Sequence, residues 1–350
     1  MPRVVVFDEF GGPEVMHVVE EPVVEPAAGE VRVRIEAFAV NPLDRMMRSG
    51  TSPATVPLPH ARLGVEGTGV VDALGPGATG LEAGDPVVLA AVPDASARGS
   101  YAEYTTVPAS QVVARPAGLG VTEAAAVWVG YSTAYGALVE KAGMRPGDHV
   151  LITAASGGVG RAALQIARQI GAVPLAVTRH TANRDDLLAA GAAAVVATDR
   201  TDVVEAVRHH TGGAGADIVL DLVMGPGQQD LLRAARPGGT LVAAGFLDPR
   251  PTPFPTGTPL RVFSYRSFEH TLDAVVVRRM AAFLNAGVRL GALRPAVGEV
   301  FALDDIVEAH RHLERGLHAG KKIVVTVQER RERAMRPVSP AARAAGPAPP

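Results

Sequence analysis

Residues 150–171 read VLITAASGGVGRAALQIARQIG, and no other stretch constrains the fold as tightly. Val150-Leu151-Ile152-Thr153 is a short apolar, β-prone run. Ala154, Ala155, Ser156, Gly157, Gly158, Val159 and Gly160 then make a turn with almost no side-chain bulk. Ala163, Ile166, Ala167 and Ile170 recur at helical spacing, and Gly171 closes the segment. A strand, a glycine-rich turn and a helix opening in that order make a site for a dinucleotide pyrophosphate. The first N–H groups of the helix are unpaired and its dipole is positive there, so an anion is held without a cationic side chain. Missing Cβ atoms let the backbone approach phosphate and let the helix pack tightly on the strand. The glycine spacing alone is a weak signal, and the flanking strand and helix supply the context it requires.

At 350 residues the chain is long enough for two cores. It is 47% hydrophobic and 20% charged with a formal net charge of −2, a balance that gives no general pull toward nucleic acid or anionic membrane. No apolar run approaches the roughly 20 residues that span a bilayer. The N-terminus, MPRVVVFDEFGG, meets acidic and glycine residues too early for a signal peptide, so a cytoplasmic location is expected. Cysteine is absent, which removes disulfides, thiolate nucleophiles and cysteine-ligated zinc. His209-His210 and His310-x-His312 fall on expected helices at spacings that do not put two ligands on one face, and no metal is expected.

The first third reads as β-rich. Residues 30–37 alternate charged and apolar side chains strictly, the mark of a half-buried strand. Further strands are expected at 66–74, 85–91 and 101–107, between Gly/Pro-rich turns. After about residue 124, strands at 150–153, 173–178, 194–197, 217–222 and 240–245 alternate with helices near 159–170, 184–190, 202–210 and 226–235. That rhythm implies an α/β fold with a doubly wound parallel sheet. Residues 247–259 carry five prolines and are expected to lack regular structure. Helices follow near 271–286 and 304–315, ending at Gly287 and Gly316 with Asp304 as N-cap, then a last strand at 322–327. Residues 328–350 read as a solvated, disordered tail: the five arginines come with two glutamates, several prolines and no aromatic residue.

Which nucleotide binds turns on the end of the second strand of the motif. An NAD site presents a carboxylate there for the ribose 2′-OH. Here Ala176-Val177-Thr178 is followed by Arg179 and His180, with Arg184 a turn later. Two guanidinium forks suit a 2′-phosphate, so NADPH is the expected cofactor. The alternative is that both arginines merely coat a helix N-terminus, with Asp185 and Asp186 partly offsetting them.

The segments Asn41-Pro42-Leu43-Asp44-Arg45-Met46-Met47-Arg48-Ser49-Gly50, Leu63-Gly64-Val65-Glu66-Gly67-Thr68-Gly69, Gly99-Ser100-Tyr101-Ala102-Glu103-Tyr104 and Tyr131-Ser132-Thr133-Ala134-Tyr135 add to this motif. Together they resemble the medium-chain dehydrogenase/reductase superfamily, and within it the zinc-independent quinone oxidoreductase branch, from about residue 1 to 327. The resemblance implies a GroES-like β-rich catalytic domain made from both chain ends (1–123 and 267–327) with a Rossmann domain (124–266) between them. It also implies a homodimer joined along the Rossmann sheet edge, with 259–265 as the edge strand. Zinc-dependent members carry cysteine where this chain has Asn41, and histidine where it has Val65. Without that Lewis acid, hydride delivery to an acceptor that delocalises its own charge is what remains: a quinone or an α,β-unsaturated carbonyl. In family terms Asn41 is expected near the nicotinamide ribose and Thr133 beside the nicotinamide and phosphates, with Val223, Gly245, Phe246 and Leu247 lining the nicotinamide face. Asn41 also reads as a turn-former before Pro42. Asp44 reads as structural, a partner for Arg48. Relatives place tyrosine where Met46 stands, leaving Tyr131 or solvent as the proton source. An enoyl-thioester reductase and a non-catalytic NADPH-binding protein are the rival readings.

Overall fold

The computed structural model describes residues 1–52, 54–255, 260–318 and 320–327. The expected tail, 328–350, lies outside the described residues, as does Pro259 of the expected edge strand.

From His149 onward strands and helices alternate. In chain order they are β1 (His149–Ile152), α1 (Gly158–Ile170), β2 (Val173–Thr178), α2 (Arg184–Ala189), β3 (Ala194–Ala197), α3 (Val203–His210), β4 (Ala216–Asp221), α4 (Gln228–Ala234), β5 (Ala235–Ala243) and β6 (Arg261–Ser264). The strands pair in parallel in the order β3-β2-β1-β4-β5-β6. Their near-continuous apolar composition follows from burial on both faces. Val150 and Ile152 point into one core with Ala163, Ile166 and Ala167 of α1. Leu151, between them, points into the other with Val207 of α3 and Leu231 and Leu232 of α4. The doubly wound sheet is as the sequence implies, and Gly171 ends α1 in the left-handed region at φ +92°.

A seven-stranded sheet draws on both ends of the chain. Its backbone order is Val297–Ala302, Lys322–Thr326, Glu30–Val40, Thr68–Leu74, Pro86–Leu89 and Val112–Ala114, with Tyr104–Pro108 also paired to Glu30–Val40. Val31, Val33 and Ile35 are buried while the charged residues between them are only partly covered, as the alternation requires. Beyond Ala37 every position of this strand is buried. Ala37 and Ala39 are small enough to pack beneath Ala125 and Ala126 at the end of the short helix Val121–Ala125. A smaller sheet pairs Met16–Glu20, Arg3–Phe7 and Ala61–Arg62. Among the described residues no helix is long and apolar enough to cross a membrane.

Three local expectations are corrected. The helix expected to stop at Gly287 runs Ala274–Arg289, and Gly287 is buried inside it. A Cβ there would lie 2.3 Å from Gln169 Oε1 and 2.4 Å from Leu293 Cγ, so this glycine serves close packing rather than termination. Asp304 sits in a single 3₁₀ turn, Leu303–Asp305, ahead of the helix Ile306–Glu314, and its carboxylate accepts from Arg3 at 3.1 Å. Residues 101–103 precede the strand expected from 101, which begins at Tyr104.

Gly160 shows what the tight turn demands. A Cβ there would lie 2.5 Å from the Ala154 carbonyl oxygen and 2.6 Å from Ala155 Cα, whereas one at Gly158 meets nothing within 4 Å. Gly160→Ala is expected to cost about 1–3 kcal/mol of stability, measured by denaturant unfolding. Gly158→Ala is expected to hold or raise stability, by up to about 1 kcal/mol.

Candidate active site

The glycine turn sits at the C-terminal end of β1, the position from which open parallel sheets bind nucleotides. The Gly157 N–H donates to Ala154 O at 2.9 Å, and Ala155 N–H donates to Val177 O of β2 at 3.1 Å. Ala154 adopts φ +44°, a strained value for a residue with a Cβ. Gly158 is exposed at the head of α1, and the first N–H groups of this 13-residue helix have no partner within the helix. Two segments close over the turn. The helix Trp128–Tyr135 crosses it with Gly130, whose Cβ would lie 3.4 Å from Gly158 O. Gly320, at φ +73°, brings the C-terminal segment so close that its Cβ would stand 1.6 Å from Ser156 O.

At the end of β2, Thr178 is buried and its hydroxyl accepts from Asn183 at 2.9 Å. Arg179 is exposed and makes no hydrogen bond or ion pair among the described residues. Arg184 turns the other way and donates to Val195 O at 3.4 Å. Asp186 does not offset these arginines: it pairs with Arg161, which also donates to Ser156 O at 3.1 Å. A carboxylate, Asp199, also stands nearby, accepting from the backbone N–H of Thr181 at 3.2 Å and from its hydroxyl at 2.9 Å.

Val223 follows β4, and Gly245, Phe246 and Leu247 follow β5, so both groups reach the same sheet edge as the glycine turn. A Cβ on Gly245 would lie 2.1 Å from Leu222 O, so only glycine lets these loops touch. Phe246 and Leu247 are exposed, offering apolar surface at that edge. Asp221, fully buried, organises the loop after β4, a role the sequence reading missed. It accepts from Val223 N and Met224 N at 3.0 Å each, from Thr153 Oγ1 at 3.1 Å and from Gln228 Nε2 at 2.9 Å.

Asn41 caps the helix Pro42–Arg48 through its backbone, while its side chain is committed elsewhere. Its Nδ2 donates to Ala39 O at 3.2 Å and to Glu66 Oε1 at 2.9 Å, and its Oδ1 accepts from Lys322 Nζ at 2.5 Å. Lys322 also pairs with Glu66, whose second oxygen accepts from Val129 N at 2.8 Å. Sequence reading treated Lys322 only as the start of a strand; the glycine two residues before it was the available signal. Thr133 is buried one turn beyond Val129 on the helix Trp128–Tyr135. Tyr131 lines the same small pocket as Lys322 and Gly158. Its hydroxyl donates to Gln165 at 2.7 Å, two turns into α1, and burial pushes the phenol well above its usual range.

Asp44 does not pair with Arg48. Its carboxyl accepts from Asn41 N at 2.8 Å and Gly64 N at 3.1 Å, and Tyr101 hydrogen bonds to it as well. Tyr101 in turn lies 3.2 Å from His310 Nε2, and Arg48 lies 3.1 Å from His310 Nδ1 and pairs with Glu314. Because guanidinium only donates, His310 Nδ1 must accept, which fixes a neutral ring with its proton on Nε2. Burial, reinforced by Arg48, pushes His310 down to about 3, and burial pushes Asp44 up to about 7.

The residues present do not fit zinc. Asn41 and Val65 replace the cysteine and histidine ligands, and the Lys322 ammonium already occupies the polar side of Asn41 and Glu66. Among the described residues, no group of three or more His, Cys, Asp or Glu side chains is placed to hold a metal.

Two family models match the chain: "Alcohol dehydrogenase GroES-like domain" over residues 27–117 and "Zinc-binding dehydrogenase" over residues 158–272. Human quinone oxidoreductase is 30% identical over 323 residues, covering 91% of this chain and 95% of the relative. The structure of Pseudomonas syringae quinone oxidoreductase superposes with a TM-score of 0.84 at 27% identity, covering 93% of this chain and all of that one. Escherichia coli quinone oxidoreductase complexed with NADPH gives a TM-score of 0.83 at 26% identity, covering 93% of this chain and 99% of the other. A GroES-like domain joined to a Rossmann-type sheet is the architecture of the medium-chain dehydrogenase/reductases. The chain belongs to that superfamily, in its quinone oxidoreductase-like branch.

Two outcomes follow from the buried groups. Tyr131→Phe is expected to cost about 1 kcal/mol of stability through the lost Gln165 bond, with kcat within about threefold of wild type. Asp44 binds its proton more tightly folded than unfolded, so its contribution to stability falls as pH rises from its ordinary 3.8 through about 7. His310 contributes the opposite slope, lost as pH falls from 6.5 toward about 3. In urea unfolding between those limits, Asp44→Asn should therefore gain on wild type as pH rises, and His310→Gln should gain as pH falls.

Proposed function

We propose that the chain is an NADPH-dependent reductase that delivers a hydride to a quinone or an α,β-unsaturated carbonyl without zinc. The observation that carries this reading is the pairing of an open helix N-terminus at Gly158 with an exposed, unpartnered cation, Arg179, at the end of β2. The first receives a pyrophosphate; the second suits a 2′-phosphate. Arg184, turned toward Val195, needs a side-chain rotation to share that task. NADPH, when bound, supplies the hydride.

The chain's own work is orientation and exclusion of water. Thr133, Val223 and Gly245-Phe246-Leu247 border the nicotinamide side. Addition of hydride to the conjugated carbon pushes an electron pair onto the carbonyl oxygen. That enolate or quinol oxygen is stabilised by local donors and takes its proton from solvent, since the Tyr131 hydroxyl is engaged with Gln165. The molecule is further expected to form a homodimer through β6, which ends the sheet with Val262 exposed.

Following NADPH consumption against quinones, enones, alkenals and enoyl thioesters, with NADH as control, tests the reading. Reduction of a conjugated acceptor with a clear preference for NADPH is expected; robust oxidation of plain secondary alcohols would overturn the zinc-free mechanism. Arg179→Ala is expected to weaken NADPH binding by about tenfold while leaving NADH binding within about twofold.

A further inference from the structure

The strand Val112–Ala114 is the last of the seven-stranded sheet, and the helix Ala274–Arg289 lies beside it across a groove of about 690 Å³. That is the size of a small-molecule site, and none of its lining residues belongs to the glycine turn or to the loops after β4 and β5. Leu81, Val87, Val113 and Val277 give it apolar flanks.

Past Val113, Ala114, Ala281 and Asn285 the groove narrows into a recess of about 10 Å³ beside Trp128, space for a single water-sized atom. Trp128 is 2% exposed, and its indole N–H has no hydrogen-bond partner among the described residues. An indole nitrogen only donates, and a buried donor left unpaired is costly, so the recess calls for an acceptor. The mouth calls for an anion. Of the two arginines in the lining, Arg115 is spent on Glu36 and Thr68. Arg278 is exposed and makes no hydrogen bond or ion pair among the described residues. The carboxylate in the lining, Asp85, accepts from Glu82 N at 2.8 Å and is not paired with Arg278. Arg278, Ala281 and Asn285 stand at i, i+3 and i+7 on one face of the helix, so two turns, about 10 Å, separate the cation from the recess.

We propose that this groove is a second small-molecule site, for an amphipathic anion. The charge pairs with Arg278, an apolar body lies along the flanks, and an uncharged acceptor oxygen enters the recess and takes the Trp128 N–H. The span between those two contacts sets the ligand's length. The site does not depend on the reductase reading, because no residue of the hydride-transfer machinery contributes to it.

Trp128 is the only tryptophan in the chain, so its fluorescence reports on the recess directly. The probe is 9-oxodecanoate, whose extended chain places a keto oxygen at that span from its carboxylate. Decanoate removes the keto oxygen, and decylamine reverses the charge. Titrations are run in excess NADP⁺, which keeps the dinucleotide site filled. A saturable shift of Trp128 emission is expected with 9-oxodecanoate at a dissociation constant below about 1 mM, about threefold tighter than decanoate and about tenfold tighter than decylamine. Ala281→Phe, which fills the middle of the groove, is expected to abolish the shift. Arg278→Gln is expected to bring the acid and the amine within about twofold of each other. Thermal unfolding verifies both variants; should Ala281→Phe fail to fold, Arg278→Gln, at an exposed position, carries the test. Absence of a saturable shift in the wild type overturns the site, as does an unchanged response in a folded Ala281→Phe or in Arg278→Gln. Equal binding of 9-oxodecanoate and decanoate overturns the Trp128 contact.

Discussion

One buried carboxylate, Glu66, is the constraint on which the arrangement of the site depends. A charge taken fully out of water is tolerated only when its oxygens are matched by donors, and breaking such a pair costs about 3–5 kcal/mol. Glu66 meets that demand with Asn41, Lys322 and the backbone of Val129. Those partners lie on the helix entry after the long N-terminal strand, on the last strand, and at the head of the helix that crosses the glycine turn. Satisfying one carboxylate therefore sets the relation of three segments that surround the nucleotide end of the sheet. The same ion pair fills, with an organic cation, a region that metal-dependent members of the superfamily organise around zinc.

A second buried carboxylate does comparable work on the other side. Asp221 gathers two backbone N–H groups, a threonine hydroxyl and a glutamine amide, and so shapes the loop after β4. Gly245 lets the loop after β5 lie directly on it. The end of the sheet that carries Val223 and Gly245 is thus built from backbone held by a buried carboxylate, with few side chains projecting from it. Phe246 and Leu247 are the exceptions, and their exposed apolar surface suits a flat conjugated ring.

What could be read in the sequence was what depends on neighbours in the chain. The glycine turn, the strict alternation at 30–37 and the βα rhythm after residue 149 are local patterns, and each emerged, although β5 begins at Ala235, five residues before its expected start at 240. The partners of Glu66 could not be read, because Asn41 and Lys322 stand 25 and 256 residues away. Asp304 carried a valid local cap signal and lost it to Arg3, 301 residues distant. Gly287 misled for a related reason: glycine marks helix ends and close contacts alike, and only the position of Gln169 and Leu293 tells which. Tyr131 carried the right chemistry for an acid, but nothing nearby in sequence revealed that Gln165 would accept its hydrogen bond.

The strand Lys322–Thr326 lies between Val297–Ala302 and the long strand Glu30–Val40, so a sheet begun near residue 30 is finished by a strand almost 300 residues later. During synthesis, Glu66 and the edge of Glu30–Val40 emerge some 250 residues before their counter-cation and their neighbour. The intervening α/β unit has every strand of its own sheet by then and needs none of the later residues to close it. Residues 38–40 therefore keep an unpaired backbone edge until residues 323–325 have been made.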